Sequence, residues 1–540
     1  MMRKWNGWGD ESNHFPATEQ ARGFLAAKLG VAKALPDAIL EDVCAQVPPS
    51  RLPEHALIQR DAIIRVRHAR GQSLPDWLAL RSGEIGVFPD GVAEPQNSEE
   101  VAELLAMARD AGWIVIPYGG GTSVAGHINP VAMDRPVLTL SLARMNRLLS
   151  LDPVSCLAVF GAGTPGPEVE RQLQEHGFTL GHFPQSWELS TLGGWVASRS
   201  SGQQSMRYGR IEQLFAGGRI ETFSGRWDIP TFPASAAGLD LREWILGSEG
   251  RIGVLTEVAV RVRPISACEE FHVAFCPDWT RALECVRAIA QDNPGLSMLR
   301  LSNAEETRTH LILAGHAQAV YVLERYLALR GIGEGKCMLT YGVTGSRSEI
   351  KRLRQAVNQV VRRYGGQGTG ALLGRKWAAN RFRSPYLRES FWQLGYAIDT
   401  LETAVDWARV PAAVDRIETA LREGLKSEGE TVQVFTHLSH MYVQGSSIYT
   451  TYVYRCADTY KQTLARWQML KAAASQAIIA SGGTISHQHG VGRDHAPYLP
   501  AEKGVQGIQG LQAVFRHFDP SQQLNPGVLV ATEVKDEPAS

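Results

Sequence analysis

The chain has 540 residues, and its 55 basic and 55 acidic side chains give a formal net charge of zero. Its length is enough for more than one domain, and the balanced charge argues against a nucleic-acid-binding protein. No stretch reaches the ~18 consecutive apolar residues of a membrane span, and the N-terminus lacks the apolar core of a signal peptide. The 7 cysteines are scattered and form no Cys-x-x-Cys pair, which favours reduced thiols in a cytoplasmic protein.

The patterns along the chain predict five consecutive regions. Within the third, the segment 366–430 is predicted to be mostly helical and to include an apolar helix over 390–410. The regions are 1–86, helical; 87–265, strands alternating with helices; 266–480, a second α+β unit; 481–531, a C-terminal segment; and 532–540, a charged, polar and disordered tail.

A glycine-rich stretch follows the first clear strand of the second region. The apolar run Trp113–Ile116 is typical of a buried strand, and Pro117–Ser123, which follows, contains three consecutive glycines. Glycine adopts positive φ freely and lets the backbone approach a ligand closely. Successive N–H groups in such a turn form a nest for an anion, typically a phosphate. An ordinary turn is the alternative, because short glycine motifs are unspecific.

Three further stretches of the second region are rich in glycine and hydroxyl side chains: Gly181–Trp195, Ala197–Gly202 and Gly247–Gly253. Together with the triple glycine, four such loops can line one extended anionic ligand. Four independent turns are the alternative, but their recurrence within one domain favours the ligand.

These stretches carry the motifs of a known group of flavoenzymes. The sequences Pro-x-Gly-Gly-Gly-Thr-Ser, Ser-Thr-Leu-Gly-Gly-Trp and Gly-Ser-Glu-Gly-x-x-Gly resemble the FAD-binding domain of the vanillyl-alcohol oxidase and p-cresol methylhydroxylase superfamily. Phe518–Gly527 resembles the closing motif of that superfamily. Within it, Lys4–Gly9, Gly193–Val196 and Ser486–Gly492 are similar to the alkyldihydroxyacetonephosphate synthases, so the resemblance covers almost the whole chain.

The resemblance implies an α+β fold, with a two-part FAD-binding domain of the vanillyl-alcohol oxidase type and an α+β cap domain for the substrate. Region 266–480 would be the cap, and 481–531 would return to the FAD-binding domain and complete the active site. Because Gly120-Gly121-Thr122 stands where some members attach FAD to a histidine, we expect non-covalent FAD. The residues that the resemblance assigns to FAD are Pro117, Tyr118, Gly119, Gly120, Gly121, Thr122, Ser123, Gln185, Ser186, Trp187, Glu188, Leu189, Ser190, Thr191, Ser198, Arg199, Ser200, Ser201, Gly247, Ser248, Glu249, Gly250, Arg251, Ile252 and Gly253.

Five further residues match the catalytic pattern of these synthases. Tyr449 matches the catalytic tyrosine, a proposed acid or base. Arg388 matches a substrate-binding arginine, and a planar guanidinium suits a phosphate. Arg300 matches a second arginine needed for activity, and His487 and His489 match the outer members of a histidine triplet.

The middle position of the triplet is Gln488, which forms hydrogen bonds but does not transfer a proton near neutral pH. His487 and His489 remain, and either can serve as a base because an unperturbed imidazole titrates near pH 6.5. His437 and His440 are three residues apart on a predicted strand. We therefore expect them to face opposite sides, as structural or cavity-lining residues.

The resemblance implies an enzyme of ether-lipid synthesis. It would exchange the acyl chain of acyl-dihydroxyacetone phosphate for a long-chain alcohol through an adduct at flavin N5, without net redox. The alternative is an FAD-linked oxidoreductase of a 2-hydroxy acid such as D-lactate or glycolate. Many such relatives bind a divalent metal, but the corresponding residues here, His440, Tyr449 and Gln488, are a poor ligand set. We therefore expect no metal and favour the synthase.

The implied partners are lipid substrates, namely acyl-dihydroxyacetone phosphate and a fatty alcohol, and no nucleic acid. We expect a cytoplasmic protein; contact with a membrane surface and a homodimer remain open. The basic and aromatic stretch Arg375–Arg383 is the candidate for a docking surface, or for a mobile flap over the site.

Overall fold

A computed structural model describes residues 3–313 and 317–531. The predicted disordered tail, 532–540, lies outside the described residues. In chain order the helices are α1 (Glu19–Leu29), α2 (Leu40–Ala45), α3 (Ala62–Arg67), α4 (Leu74–Ser82), α5 (Ser98–Ala111), α6 (Gly166–Gln174), α7 (Leu192–Ser198), α8 (Ser205–Tyr208), α9 (Ile211–Leu214), α10 (Arg242–Ile245), α11 (Trp279–Asp292), α12 (Ala304–Leu313), α13 (Ala317–Ala328), α14 (Arg347–Arg363), α15 (Ala371–Asn380), α16 (Ser384–Trp392), α17 (Val410–Glu423), α18 (Tyr460–Ala480) and α19 (Leu499–Phe518).

The strands form four sheets. They are β1 (Ile58–Gln59), β2 (Gly91–Ala93), β3 (Ile114–Tyr118), β4 (Val137–Ser141), β5 (Leu148–Asp152), β6 (Leu157–Gly161), β7 (Phe178–Thr179), β8 (Phe215–Thr222), β9 (Gly225–Ile229), β10 (Val254–Arg261), β11 (Arg263–Pro264), β12 (Cys268–Cys276), β13 (Met298–Ser302), β14 (Cys337–Gly345), β15 (Gln367–Gly370), β16 (Tyr396–Asp406), β17 (Gln433–Leu438) and β18 (Gly445–Arg455).

Two sheets build the N-terminal half of the molecule. The first has the order β1-β2-β4-β3, in which β2, β4 and β3 are parallel, and the second has the antiparallel order β5-β6-β10-β8-β9. One hydrophobic core joins them and includes Val115, Leu140, Phe160 and Val258. Full burial of each such side chain contributes roughly 1.5–3 kcal/mol. This core holds the ends of the strands, and therefore the glycine-rich loops, in fixed positions.

The C-terminal segment lies against the first sheet. The amide of Val115 donates to the Gln523 carbonyl at 2.8 Å, and the amide of Asn525 donates to the Val115 carbonyl at 2.9 Å. The side-chain amide of Asn525 donates to the carbonyl oxygens of His127 and Glu249. The end of the described chain therefore fastens two glycine-rich loops to the edge of a strand.

The second half of the molecule is built on a seven-stranded antiparallel sheet with the order β15-β12-β14-β13-β17-β18-β16. Strands β16, β17 and β18 carry alternate side chains on one face, which we call the cap face. Its first row is Glu402, Tyr449 and His437; its second row is Thr400, Thr451 and Phe435; and Ile398 and Val453 follow in the third. Gln433 lies beside Val453 in the third row. The face thus changes along the strands from ionisable side chains to a mixture of hydroxyl and apolar side chains.

The predicted helix over 390–410 is wrong. Helix α16 ends at Trp392, Gly395 adopts a φ of +85°, and β16 then runs for 11 residues. Because β16 pairs with β18 along its whole length, long-range pairing decides the conformation. Strand β16 interrupts the segment 366–430, whose other elements are mostly helices, among them α15, α16 and α17. Among the described residues, no helix has the length and apolar character needed to cross a membrane.

Candidate active site

One cavity of about 410 Å³ reaches from the glycine-rich loops to the cap face. This volume lies within the range of ligand pockets. Its walls come from both halves of the molecule, so residues more than 300 positions apart meet at it. The residues assigned to FAD that line it are Pro117, Tyr118, Gly119, Gly120, Gly121, Thr122, Ser123, Gln185, Ser186, Ser190, Thr191, Ser198, Ser200, Ser201, Ser248, Glu249, Gly250 and Gly253.

Some residues assigned to FAD are absent from the described lining of this cavity. The Trp187 ring stacks on Phe382 with centroids 4.8 Å apart, and Arg199 pairs with Glu243 at 2.9 Å. That these residues contact FAD stays a prediction. Those absent from the described cavity lining are Trp187, Glu188, Leu189, Arg199, Gly247, Arg251 and Ile252.

The loops that line the cavity fit FAD. Gly120 packs so closely on the Leu189 carbonyl that any Cβ would collide with it, so the triple glycine lets two loops meet as well as forming a nest. The hydroxyls of Thr191 and Ser201 are buried and have no hydrogen-bond partner among the described residues. Buried hydroxyls of this kind normally have a partner, and a ligand with phosphate and hydroxyl groups supplies one.

A buried chain of side chains joins three loops beside the cavity. His127 Nδ1 lies within hydrogen-bond distance of the Ser123 hydroxyl, and His127 Nε2 lies 3.2 Å from a Glu249 oxygen. The Glu249 carboxylate also accepts hydrogen bonds from the amides of Val491 and Gly492, at 2.6 and 2.8 Å. Glu249 therefore fastens the histidine motif to the FAD loops.

Flavin retention is expected to depend on pH through His127. Burial disfavours the charged imidazole, but Glu249 and Asp494 outweigh it, and the pKa of His127 is raised above 6.5. A raised histidine pKa contributes stability that is present below pH 6.5 and is lost as the pH rises through the folded-state pKa. We expect FAD to dissociate more readily above that pKa, and His127→Asn to flatten the dependence. Flavin fluorescence during a pH titration measures the release of FAD. A variant whose FAD release depends on pH as steeply as in wild type would contradict the role of His127.

Tyr449 occupies the first row of the cap face and lines the cavity. Its hydroxyl donates to Thr400 Oγ1 at 3.1 Å, and burial raises the pKa of Tyr449 to about 12. The phenol is therefore protonated near neutral pH and is available as a proton donor. The ring stacks on His437 at 4.9 Å and meets His489 edge-on at 5.9 Å.

Glu402 holds the histidine motif in place. Its carboxylate oxygen accepts hydrogen bonds from the amides of Gln488 and His489, at 2.7 and 2.8 Å, and lies 3.3 Å from His489 Nδ1. Glu402 is buried, and Gln488 and His489 both line the cavity. The carboxylate thus fixes the position from which His489 faces the cavity.

His487 lies outside this arrangement. It is not among the described residues that line the cavity. Its Nε2 accepts from Arg210 at 2.7 Å and lies 2.6 Å from the Tyr442 hydroxyl. Burial and Arg210 lower the pKa of His487 well below its usual value. Because Arg210 already occupies this accepting nitrogen, the geometry favours His489 over His487 as the base. That His487 takes part in catalysis stays a prediction.

Arg300, Glu306 and His437 form a second ionisable cluster on the cavity wall. One Glu306 oxygen lies 2.9 Å from an Arg300 nitrogen and 2.8 Å from His437 Nδ1. Burial opposes the charge of Glu306, but His437 and Arg300 hold the pKa of its carboxyl well below the usual range. Burial and Arg300 lower the pKa of His437 to about 4. The cluster therefore holds an ionised carboxylate and a neutral imidazole at neutral pH.

Arg388 lines the cavity but already has protein partners. Its guanidinium donates to the Gln72 carbonyl, and it pairs with Asp399 at 2.8 Å. Asp399 also accepts from the Trp467 indole at 2.7 Å. A phosphate at Arg388 would therefore use the remaining N–H groups or compete with Asp399, and the arginine is fixed in direction before a ligand arrives.

The motifs did not reveal several residues of the site. His437 and His440 both line the cavity, so the expectation that they face opposite sides is wrong: β17 ends at Leu438 and the chain turns before His440. Glu306 and Glu402 belong to no motif, and Glu306 follows Glu305 in a polar stretch, so the sequence does not single it out.

Comparisons with known proteins agree with this geometry. Residues 89–227 match the FAD binding domain family, and residues 267–529 match the C-terminal domain of FAD linked oxidases. The chain is 28% identical to an alkyldihydroxyacetonephosphate synthase of Dictyostelium discoideum, over 99% of this chain and 94% of the relative. It is 26% identical to that of Trypanosoma brucei brucei, over 98% and 92%.

A solved alkyldihydroxyacetonephosphate synthase superposes with a TM-score of 0.84 and 26% identity, covering 97% of this chain and 98% of that one. The chain belongs to the FAD-linked enzymes of the vanillyl-alcohol oxidase and p-cresol methylhydroxylase family, with an FAD-binding domain and a cap. Within that family it is similar to alkyldihydroxyacetonephosphate synthases over nearly its whole length. FAD is its cofactor.

Proposed function

We propose that the chain is an FAD-dependent alkyldihydroxyacetonephosphate synthase, which exchanges the acyl chain of acyl-dihydroxyacetone phosphate for a long-chain alcohol. One observation carries the proposal beyond the family resemblance: a single cavity joins the FAD loops, a row of acid and base groups, and an apolar row. An enzyme for this exchange has to hold a phosphate, move protons and bind a hydrocarbon chain in one place.

The residues divide this work by position. Arg388, held by Asp399, is the candidate for the substrate phosphate. His489 is the candidate base for the proton beside the ketone, and Tyr449 is the candidate donor to an oxygen that gains charge. Arg300 is part of the ionised cluster next to Tyr449. FAD, when bound, would supply flavin N5 as the reactive atom for the exchange, which involves no net redox.

The apolar part of the cap face is the candidate for the hydrocarbon chain. Phe435, Ile398, Phe391 and Leu313 line the cavity there and pack with Leu25 and Leu29 of α1 in one hydrophobic cluster. Helix α1 thus closes this end of the cavity, which limits the space available to a chain.

Replacing Phe435 by alanine is expected to move the preferred alcohol to a longer chain, because the variant removes bulk from the cavity wall in front of α1. The measurement is kcat/KM for a series of alcohols of increasing length. Phe275→Ala is the matched control: Phe275 is buried in the same sheet but is not among the described lining residues. The same shift in preferred chain length in both variants, or no shift in either, would contradict the assignment of Phe435 to the hydrocarbon site.

The alternative is an FAD-linked oxidoreductase of a 2-hydroxy acid, whose enzymes are more distant relatives. The direct test incubates the purified flavoprotein with acyl-dihydroxyacetone phosphate and a long-chain alcohol while oxygen is monitored. An ether product without oxygen uptake supports the synthase. Bleaching of the flavin by a 2-hydroxy acid, with no ether formed, would establish the alternative.

We also propose that the protein makes peripheral contact with a membrane surface. In the stretch Arg375–Arg383, Arg381 is half-buried and lies over the rings of Phe183 and Phe382, so this part joins the two halves of the molecule. Arg375 and Arg383 are exposed and remain the candidates for docking. Binding to anionic liposomes that Arg375→Glu weakens would support docking; binding that the variant leaves unchanged would exclude it.

A further inference from the structure

The pair formed by His437 and Glu306 has a defined orientation, and neither residue takes part in the steps proposed for Arg388, His489 and Tyr449. His437 Nδ1 lies 2.8 Å from an oxygen of the ionised Glu306, which can only accept, and 3.2 Å from Arg300 Nη2, which can only donate. Because Arg300 Nη2 lies closer to the same Glu306 oxygen, at 2.9 Å, we assign the proton of the neutral ring to Nδ1, which donates it to Glu306. His437 lines the cavity, and its Nε2 has no hydrogen-bond partner among the described residues. A carboxylate on Nδ1 with Nε2 left free is the arrangement that prepares a histidine to accept a proton.

The register of the cap face places this nitrogen at the head of the apolar row. His437 and Phe435 are alternate residues of β17, and Tyr449 and Thr451 are alternate residues of β18, so each pair points to the same side. A chain that lies over Phe435, Thr451 and Ile398 brings its terminal group to the row of His437 and Tyr449. For a fatty alcohol, that terminal group is the hydroxyl.

We propose that His437 accepts the proton of the incoming alcohol at Nε2, and that Glu306 is the positioning residue that fixes its tautomer and orientation. The inference rests on the proposed function. Over the exchange, the bond between the dihydroxyacetone carbon and the acyl oxygen breaks, the O–H bond of the alcohol breaks, the alcohol oxygen bonds to that carbon, and Nε2 takes the proton. The fatty acid departs as a carboxylate and the proton passes to solvent, so the step needs no oxidant or reductant.

The proposal separates two proton transfers that a single shared base would combine. His489, held by Glu402, and Tyr449 serve the carbon beside the ketone, whereas His437 serves the nucleophile. An incoming fatty acid is already a carboxylate at neutral pH and needs no base. Exchange of the acyl chain for a free fatty acid should therefore proceed without His437, although ether formation requires it.

The experiment compares these two reactions in wild type, His437→Gln, Glu306→Gln and Glu306→Asp. Acyl-dihydroxyacetone phosphate is incubated either with a radiolabelled fatty acid or with a fatty alcohol. We expect His437→Gln to incorporate the labelled fatty acid near the wild-type rate and to form ether about 100-fold more slowly or worse. Glu306→Gln should show the same split, and Glu306→Asp should restore ether formation in part.

A double variant of His437→Gln and Glu306→Gln should be no slower than the worse single variant, because both changes act through one imidazole. Equal loss of both reactions, accompanied by lower flavin content, would show that the pair is structural and would overturn the proposal. Unchanged ether formation in His437→Gln would overturn it as well. If the wild-type protein performs neither reaction, the proposed function itself fails. This result differs from the two above, which overturn only the role of His437.

Discussion

Replacing Tyr449 by phenylalanine is expected to lower ether formation by about 100-fold or more while leaving FAD bound. The hydroxyl is the only polar group of the Tyr449 side chain, and among the described residues its side-chain hydrogen-bond partner is Thr400. Losing that hydrogen bond costs about 0.5–1.5 kcal/mol of stability, which the fold tolerates. The measurements are the rate of ether formation and the flavin content per chain.

Tyr454→Phe is the matched control for this variant. Tyr454 lies on the same strand, is fully buried and has a hydroxyl without a hydrogen-bond partner among the described residues. Its removal should leave activity and flavin content unchanged. Loss of the flavin from Tyr449→Phe would instead show that the Tyr449 hydroxyl is structural.

Replacing Glu402 by alanine is expected to have the second largest effect. The amides of Gln488 and His489 would lose their shared acceptor, and each unpaired buried group costs about 1–3 kcal/mol. Because the loop that carries His489 would then shift, we expect ether formation to fall roughly 10- to 100-fold. Glu402→Gln keeps one acceptor oxygen and should be affected less. Thermal unfolding and kcat/KM measure the two effects.

Glu502→Ala provides the comparison for Glu402. Glu502 accepts hydrogen bonds from the Thr484 hydroxyl and the Ile485 amide, just before the histidine motif, but it is absent from the described lining of the cavity. We expect lower stability with little change in kcat/KM. Equal effects on kcat/KM from both glutamates would mean that the loop needs general support rather than the specific contact at His489.

The sequence predicted the features that are local. The turn at Pro117–Ser123, all of which lines the cavity, was predictable because a strand, a proline and three glycines are adjacent in the sequence. Tyr449 and His489 were found through motif resemblance, and the structure places their rings 5.9 Å apart. That these residues act in catalysis stays a prediction.

The carboxylates that orient the site could not be predicted in the same way. Glu306 is 131 residues from His437, and Glu402 is 86 residues from Gln488. Glu306 lies on α12, which follows β13, and Gln488 lies in a loop after α18. Strand pairing in the cap sheet and the packing of distant segments against it bring these partners together, and no local pattern encodes either. The same pairing turned 390–410 from a predicted helix into β16, and with it created the cap face on which Tyr449 and His437 meet.

Transfer of the alcohol oxygen is the most direct test of the proposed exchange. The fatty alcohol is supplied with a heavy-oxygen label in its hydroxyl, together with acyl-dihydroxyacetone phosphate and the flavoprotein, and the products are analysed by mass spectrometry. The proposed function predicts that the ether oxygen carries the label and that the released fatty acid does not. Two results would contradict the exchange at the dihydroxyacetone carbon. One is an ether that carries no label, and the other is label found in an ester between the alcohol and the fatty acid.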